Sequence, residues 1–214
     1  MRILVIICTN KMDTLYLSNI AILNDYIDRL RVNNTVDYCG ISSSDDFNNY
    51  ENTISFKYKI VNPKYQLGKM CDFITDNIGS LDYNWYIKTR PEIKVLQDID
   101  FNILSPTAIN ARARVYRGPK KIKYGSSTGG PGYWSHVNDC HYSPTESGII
   151  LDDQIYIFNS AILSKWRKIP QGPRENEWIH APYWRSTAIG LNVIGLNVEF
   201  AIKDSRGFAL SGDI

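Results

Sequence analysis

The stretch Trp85-Tyr86-Ile87-Lys88-Thr89-Arg90-Pro91-Glu92-Ile93 decides how this chain is read, because a short apolar strand pattern runs directly into alternating charges. Pro91 argues against a continuing central strand, since proline has no backbone N–H to give to a ladder. Ligands of open α/β sheets collect at the carboxyl ends of strands, so charges emerging there face a crevice. Arg90 and Glu92 thereby become candidates for gripping phosphate and metal. The plainer alternative makes Lys88, Arg90, Glu92 and Lys94 the solvated face of an edge strand.

Working outward from that stretch, residues 3–8 are an unbroken apolar run that suits a buried parallel strand, with Thr9 and Asn10 leaving its carboxyl end. Asp13 or Thr14 can cap a helix whose Tyr16, Ile20, Leu23, Ile27 and Leu30 form one apolar stripe, and Asn33-Asn34 stops it. Residues 35–41 read as a second strand ending in the polar loop Ser42-Ser43-Ser44-Asp45-Asp46, and residues 54–61 as a third. A helix over 68–78 turns Met70, Phe73, Ile74 and Ile78 inward, with Gly79 as its C-cap. Alternating strands and helices predict an α/β sheet with layers on both faces.

Beyond the opening stretch the pattern changes. Residues 108–116 alternate with period two, which predicts a strand adding antiparallel pairing, and residues 118–148 read as a long loop lining a site. Leu151-Asp152-Asp153-Gln154 is expected to open a helix with Ile155, Phe158, Ile162 and Trp166 inward and Asp152 as N-cap. An aromatic segment follows at 178–184, and residues 191–202 are strand-like.

The 214 residues suit one domain, and a hydrophobic content of 43% can fill its core. With 24 basic against 22 acidic residues, net charge gives no argument for a nucleic-acid or anionic-membrane partner. Cys8, Cys39, Cys71 and Cys140 lie far apart and suggest isolated buried thiols rather than a zinc or redox motif. No segment reaches the roughly 20 apolar residues of a membrane helix, so a cytoplasmic protein is expected.

Val5-Ile6-Ile7-Cys8-Thr9-Asn10, Leu67-Gly68-Lys69-Met70, Tyr86-Ile87-Lys88-Thr89-Arg90-Pro91-Glu92 and Asp152-Asp153-Gln154, in that order and spacing, resemble the GT-A fold nucleotide-sugar glycosyltransferases. The likeness is particular to the amino-terminal glycosyltransferase domains encoded by chlorella viruses, which implies a capsid glycoprotein glycan as acceptor and the host cytoplasm as location. The resemblance implies a single-domain α/β fold with a central mixed, mostly parallel sheet flanked by helices. Residues to about 94 would form the nucleotide-binding half and residues 95–214 the acceptor-side half.

Carried across by position, the resemblance implies that Thr9, Asn10, Asp45, Lys69 and Arg90 bind a UDP-sugar donor. Asp152 and Asp153 would act near the acceptor hydroxyl, Asp153 for preference, in a hexosyltransferase reaction on a glycan or glycoprotein. The family's Asp-x-Asp pair for manganese or magnesium is replaced here by Arg90-Pro91-Glu92, which leaves Glu92 and a late histidine, His180, as metal ligands. A guanidinium can instead hold phosphate without metal. Plainer readings make Asp152 a helix cap and His180 a packing residue.

The basic group Arg112, Arg114, Arg117, Lys120, Lys121 and Lys123, with Tyr116 and Tyr124 among it, could line a sugar-diphosphate channel or form an ordinary solvated face. Two other functions remain on the same residues. A sugar nucleotidyltransferase fits less well, because no glycine follows Cys8 to make a phosphate loop; a non-catalytic glycan- or nucleic-acid-binding module would use the basic and aromatic stripe.

Overall fold

A computed structural model describes residues 1–30, 32–64, 66–116, 148–169, 187, 189–194 and 198–200, with the backbone alone at 66, 112–116, 148–154, 191, 193 and 198–200. The strands are β1 (Arg2–Cys8), β2 (Thr35–Ser42), β3 (Phe56–Val61), β4 (Trp85–Thr89), β5 (Ile93–Val95), β6 (Ala108–Tyr116), β7 (Gly148–Asn159), β8 (Gly190–Val193) and β9 (Val198–Phe200). The α-helices among the described residues are α1 (Leu17–Leu30) and α2 (Gln66–Asn77).

Among the described residues, seven strands form one sheet in the order β3-β2-β1-β4-β7-β6-β8, and β5 pairs with β9 in a small second sheet. The pairs β1–β2, β1–β4, β2–β3 and β6–β8 are parallel, whereas β7 runs antiparallel to both β4 and β6. The architecture is therefore the expected one: a single α/β domain with a mixed and mostly parallel sheet between two helices.

Alternation along the strands divides the core between two faces. Leu4, Ile6 and Cys8 of β1 and Tyr86 of β4 pack with Met70, Phe73 and Ile74 of α2. Ile3, Val5 and Ile7, with Trp85 and Ile87, pack with Ile20, Leu23 and Ile27 of α1 on the other face. Across the antiparallel seam, Tyr86 pairs with Phe158 and the two rings stack at 5.1 Å. Such a stack adds about 0.5–1.5 kcal/mol beyond burial.

Several expectations change. β4 is not an edge strand: it lies between β1 and β7, all five of its residues are buried, and Lys88 is 0% exposed. The helix expected after Leu151 is instead the strand β7, so Asp152 caps no helix. Ile155, Tyr156, Ile157 and Phe158 are all buried, and a continuous β-rich run of that kind suits a strand covered on both faces. Ile162 and Trp166 are buried after all, the first within a short 3₁₀ segment over Ser160–Lys165 and the second as the residue that caps it.

Ile78 lies beyond the end of α2 and is exposed. Gly79 lacks the left-handed backbone of a C-cap glycine. The last carbonyl of α2, on Asn77, accepts the N–H groups of Ser80 and Leu81 instead. The strand-like tail is two strands in different sheets, β8 and β9. Cys8, Cys39 and Cys71 are buried free thiols as expected; Cys140 falls outside the described residues. No described helix is long and apolar enough to cross a membrane.

Candidate functional site

The strand order reverses beside β1, which has β2 and β3 on one side and β4 on the other. Loops leaving the carboxyl ends of strands diverge at such a point and open a crevice. Three loops meet there: residues 9–13 after β1, 43–50 after β2 and 90–92 after β4.

Lys69, in the first turn of α2, joins the first two loops. Its ammonium donates to the Thr9 carbonyl at 2.5 Å, Ser43 Oγ at 2.8 Å and Asn10 Oδ1 at 3.3 Å, and the residue is 0% exposed. Lys69 therefore meets the expected nucleotide binders Thr9 and Asn10 directly. Thr9 is buried and turns the backbone by accepting from Lys11 N and donating to Lys11 O, which leaves Asn10 exposed at the crevice.

Asp45 is exposed on the second loop. Its neighbour Asp46 holds the loops together: Oδ2 accepts from Met12 N at 2.8 Å and from Ser44 Oγ at 3.1 Å. Asp46 Oδ1 is buried and has no hydrogen-bond partner among the described residues. An orphaned acceptor costs about 1–3 kcal/mol unless a ligand donor meets it. The polar run Ser42 to Asp46 was a sequence signal for this loop, but not for which of its two aspartates would tie the loops together.

The third loop is a tight turn. Ile93 N donates to Arg90 O at 3.1 Å, which places Pro91 at the second turn position, where its fixed φ is favoured. Arg90 and Glu92 thus flank the proline, and Arg90 Nη2 forms an ion pair with Glu92 Oε1. Their side chains are 26% and 18% exposed. Asn19 fixes the turn to α1 by donating to the Pro91 carbonyl at 3.0 Å. Beside apolar Ile20, this buried asparagine was the one polar signal in the helix stripe, and it was missed.

The loops share one electrostatic field. Burial first, then the negative charges of Glu92 and Asp13, raise the Tyr16 hydroxyl above its ordinary pKa, and the same causes raise that of Tyr50. Tyr50 donates its hydroxyl proton to the Asp13 carbonyl at 2.8 Å, which ties the loop after β2 to the loop after β1.

Asp152 and Asp153 lie in an irregular part of β7. Ala111 pairs with Tyr156 and Ala113 with Leu151, so residues 152–155 stand opposite residue 112 alone. Bulges of this kind are enriched beside active sites. The last β4–β7 pair is Lys88 with Tyr156, so these bulged residues continue past the carboxyl end of β4. The backbone thus carries Asp152 and Asp153 to the edge from which Arg90 and Glu92 depart. His180, the aromatic segment 178–184 and most of the 118–148 loop, including Lys120, Lys121 and Lys123, lie outside the described residues.

A divalent manganese or magnesium ion needs several oxygen ligands. Among the described residues no group of three His, Cys, Asp or Glu side chains could hold one. Glu92 offers a carboxylate already engaged by a guanidinium. The described donor set at the β4 exit does not fit the ion.

Neither a protein-family model nor a curated protein sequence matches the chain. Solved structures do. The chain shares its fold with A197 from STIV. The TM-score is 0.50 at 11% identity, over 95% of this chain and 87% of that one. A Bacillus anthracis protein with a provisional glucose-1-phosphate thymidylyltransferase assignment, crystallised with sucrose, aligns at TM-score 0.49 and 12% identity over 94% and 90% of the two chains. A mutant Drosophila β1,4-galactosyltransferase 7 in complex with manganese, UDP-galactose and xylobiose aligns at 0.45 and 9% over 90% and 64%.

Proposed function

We propose that the protein is a glycosyltransferase that moves a hexose from a UDP-sugar to a hydroxyl of a glycan, with a glycoprotein of a viral capsid as the acceptor suggested by the resemblance. The observation that carries this reading is the meeting of Thr9, Asn10, Lys69, Arg90 and Glu92 where the strand order reverses, with the acid pair of β7 on the same edge.

Thr9, Asn10 and Asp45 would line the base and ribose, with Asp46 Oδ1 as a further acceptor for a ribose hydroxyl or base N–H. Lys69 holds two of the loops in register. Arg90 faces the diphosphate, where a fixed cation stabilises charge as it grows on the leaving group. In the transfer, the acceptor oxygen bonds to the anomeric carbon while the carbon–oxygen bond to the diphosphate breaks. The electron pair of that bond leaves on UDP, and the hydroxyl proton passes to a carboxylate, for which Asp153 is preferred over Asp152.

The test is a screen of UDP-sugars for donor hydrolysis and transfer, with wild type beside Asp153→Asn. A general base contributes about 10²–10⁴-fold, so turnover should fall by that factor while UDP affinity holds. Unchanged turnover removes Asp153 from the mechanism. Salt-sensitive binding to polynucleotide, with none to UDP, would replace the transferase reading with the binding-module one.

A further inference from the structure

The β4 exit has the opposite charge logic to a metal site. Arg90 and Glu92 face each other across a proline turn that Asn19 anchors to α1, and both side chains are partly buried. Lys88, two residues earlier, is 0% exposed, with its ammonium 5.5 Å from the centre of the Tyr156 ring. Lys69 brings another buried cation to the neighbouring loops. A divalent cation seated against Glu92 would meet the Arg90 guanidinium at close range, and like charges in a partly dehydrated crevice repel strongly. A diphosphate would meet attraction from the guanidinium and the buried ammonium groups, with the Glu92 carboxylate as its competitor.

We propose that this crevice takes the donor diphosphate without a resident divalent ion, Arg90 supplying the counter-charge and Glu92 acting as a positioning residue that holds the guanidinium until phosphate displaces it. This rests on the nucleotide-sugar reading above. Glu92 is then a competitor of the ligand. A carboxylate that held a metal would instead be the ligand's ally, so neutralising it has opposite consequences in the two cases.

The experiment is calorimetric titration of UDP and of inorganic diphosphate, in EDTA and then in excess Mn²⁺, into wild type, Arg90→Lys, Arg90→Ala and Glu92→Gln. Thermal unfolding of each variant reports its folding. Wild-type affinity in EDTA should match that in Mn²⁺ within about twofold. Arg90→Ala should weaken UDP binding about 10- to 100-fold, the worth of hydrogen bonds to a charged group, and Arg90→Lys should recover part of this because it keeps the charge without the fork.

Glu92→Gln should tighten UDP binding by about two- to fivefold, the cost of breaking a partly exposed ion pair. Should Arg90→Ala fail to fold, the wild-type metal comparison and Glu92→Gln still decide. UDP binding that requires Mn²⁺, or that weakens in Glu92→Gln, overturns the metal-free site alone. Binding of neither UDP nor diphosphate in either condition overturns the nucleotide-sugar reading and this inference together.

Discussion

At the amino edge of the sheet Asp37 gathers Lys57 Nζ at 2.9 Å, the Tyr83 hydroxyl at 2.6 Å and Arg2 at 3.9 Å. The cations there stay exposed and lie over aromatic rings, Arg2 at 5.0 Å and Lys57 at 5.2 Å from the centre of Tyr83. At the carboxyl edge the arrangement is reversed. Lys69 is fully buried among hydroxyl, amide and carbonyl oxygens, and the one carboxylate of the 90–92 turn belongs to a proline-turn pair with Arg90. The first arrangement closes its charges on one another near water, where each pair contributes little. The second puts positive charge in a crevice, where desolvation makes it costly to fold and effective toward an anion.

The largest effect on folding should come from Lys69→Met, which keeps the aliphatic stem and removes the ammonium. Thr9 O, Asn10 Oδ1 and Ser43 Oγ would lose their shared donor, and an acceptor left buried costs about 1–3 kcal/mol. We expect about 3 kcal/mol of destabilisation in urea unfolding, together with weaker UDP binding as the two loops separate. A variant of wild-type stability that binds UDP normally would remove Lys69 from both roles and with it the contrast between the edges.

Much of this fold was legible because its strands have clean signatures. β6 was read to its ends from period-two alternation, and β4 from an apolar run stopped by Pro91. β7 was misread because Asp152 resembles a cap and Ile155, Phe158 and Ile162 also fit helical spacing. A fully buried strand and a buried helix share that pattern, and the pairing with β4 and β6 decides between them.

In the site, sequence pointed to Arg90 and Glu92 as residues but not to their pairing, which needs the turn that Pro91 makes. Lys69 was singled out through resemblance. Its contacts were beyond local pattern, since Thr9 and Ser43 lie 60 and 26 residues away along the chain. Asn19 and Asp46 likewise act through partners 72 and 34 residues distant.

A smaller effect, and one with a pH signature, belongs to the amino edge. Desolvation alone would raise the pKa of Asp37, but hydrogen bonds from Tyr83 and Lys57 and the charges of Lys57 and Arg2 outweigh it and hold the carboxyl below its ordinary value. A depressed native pKa stabilises the fold above the unfolded value, near 3.9, and that contribution is lost as pH falls through the native value. Asp37→Asn should therefore cost about 1 kcal/mol at pH 7, since solvent screens the group, and its difference from wild type should shrink steadily below about pH 4. Its UDP affinity should equal that of wild type. If Asp37→Asn instead weakened UDP binding as Arg90→Ala is expected to, the amino edge would be coupled to the crevice, and the division of the sheet into a stabilising edge and a binding edge would fail.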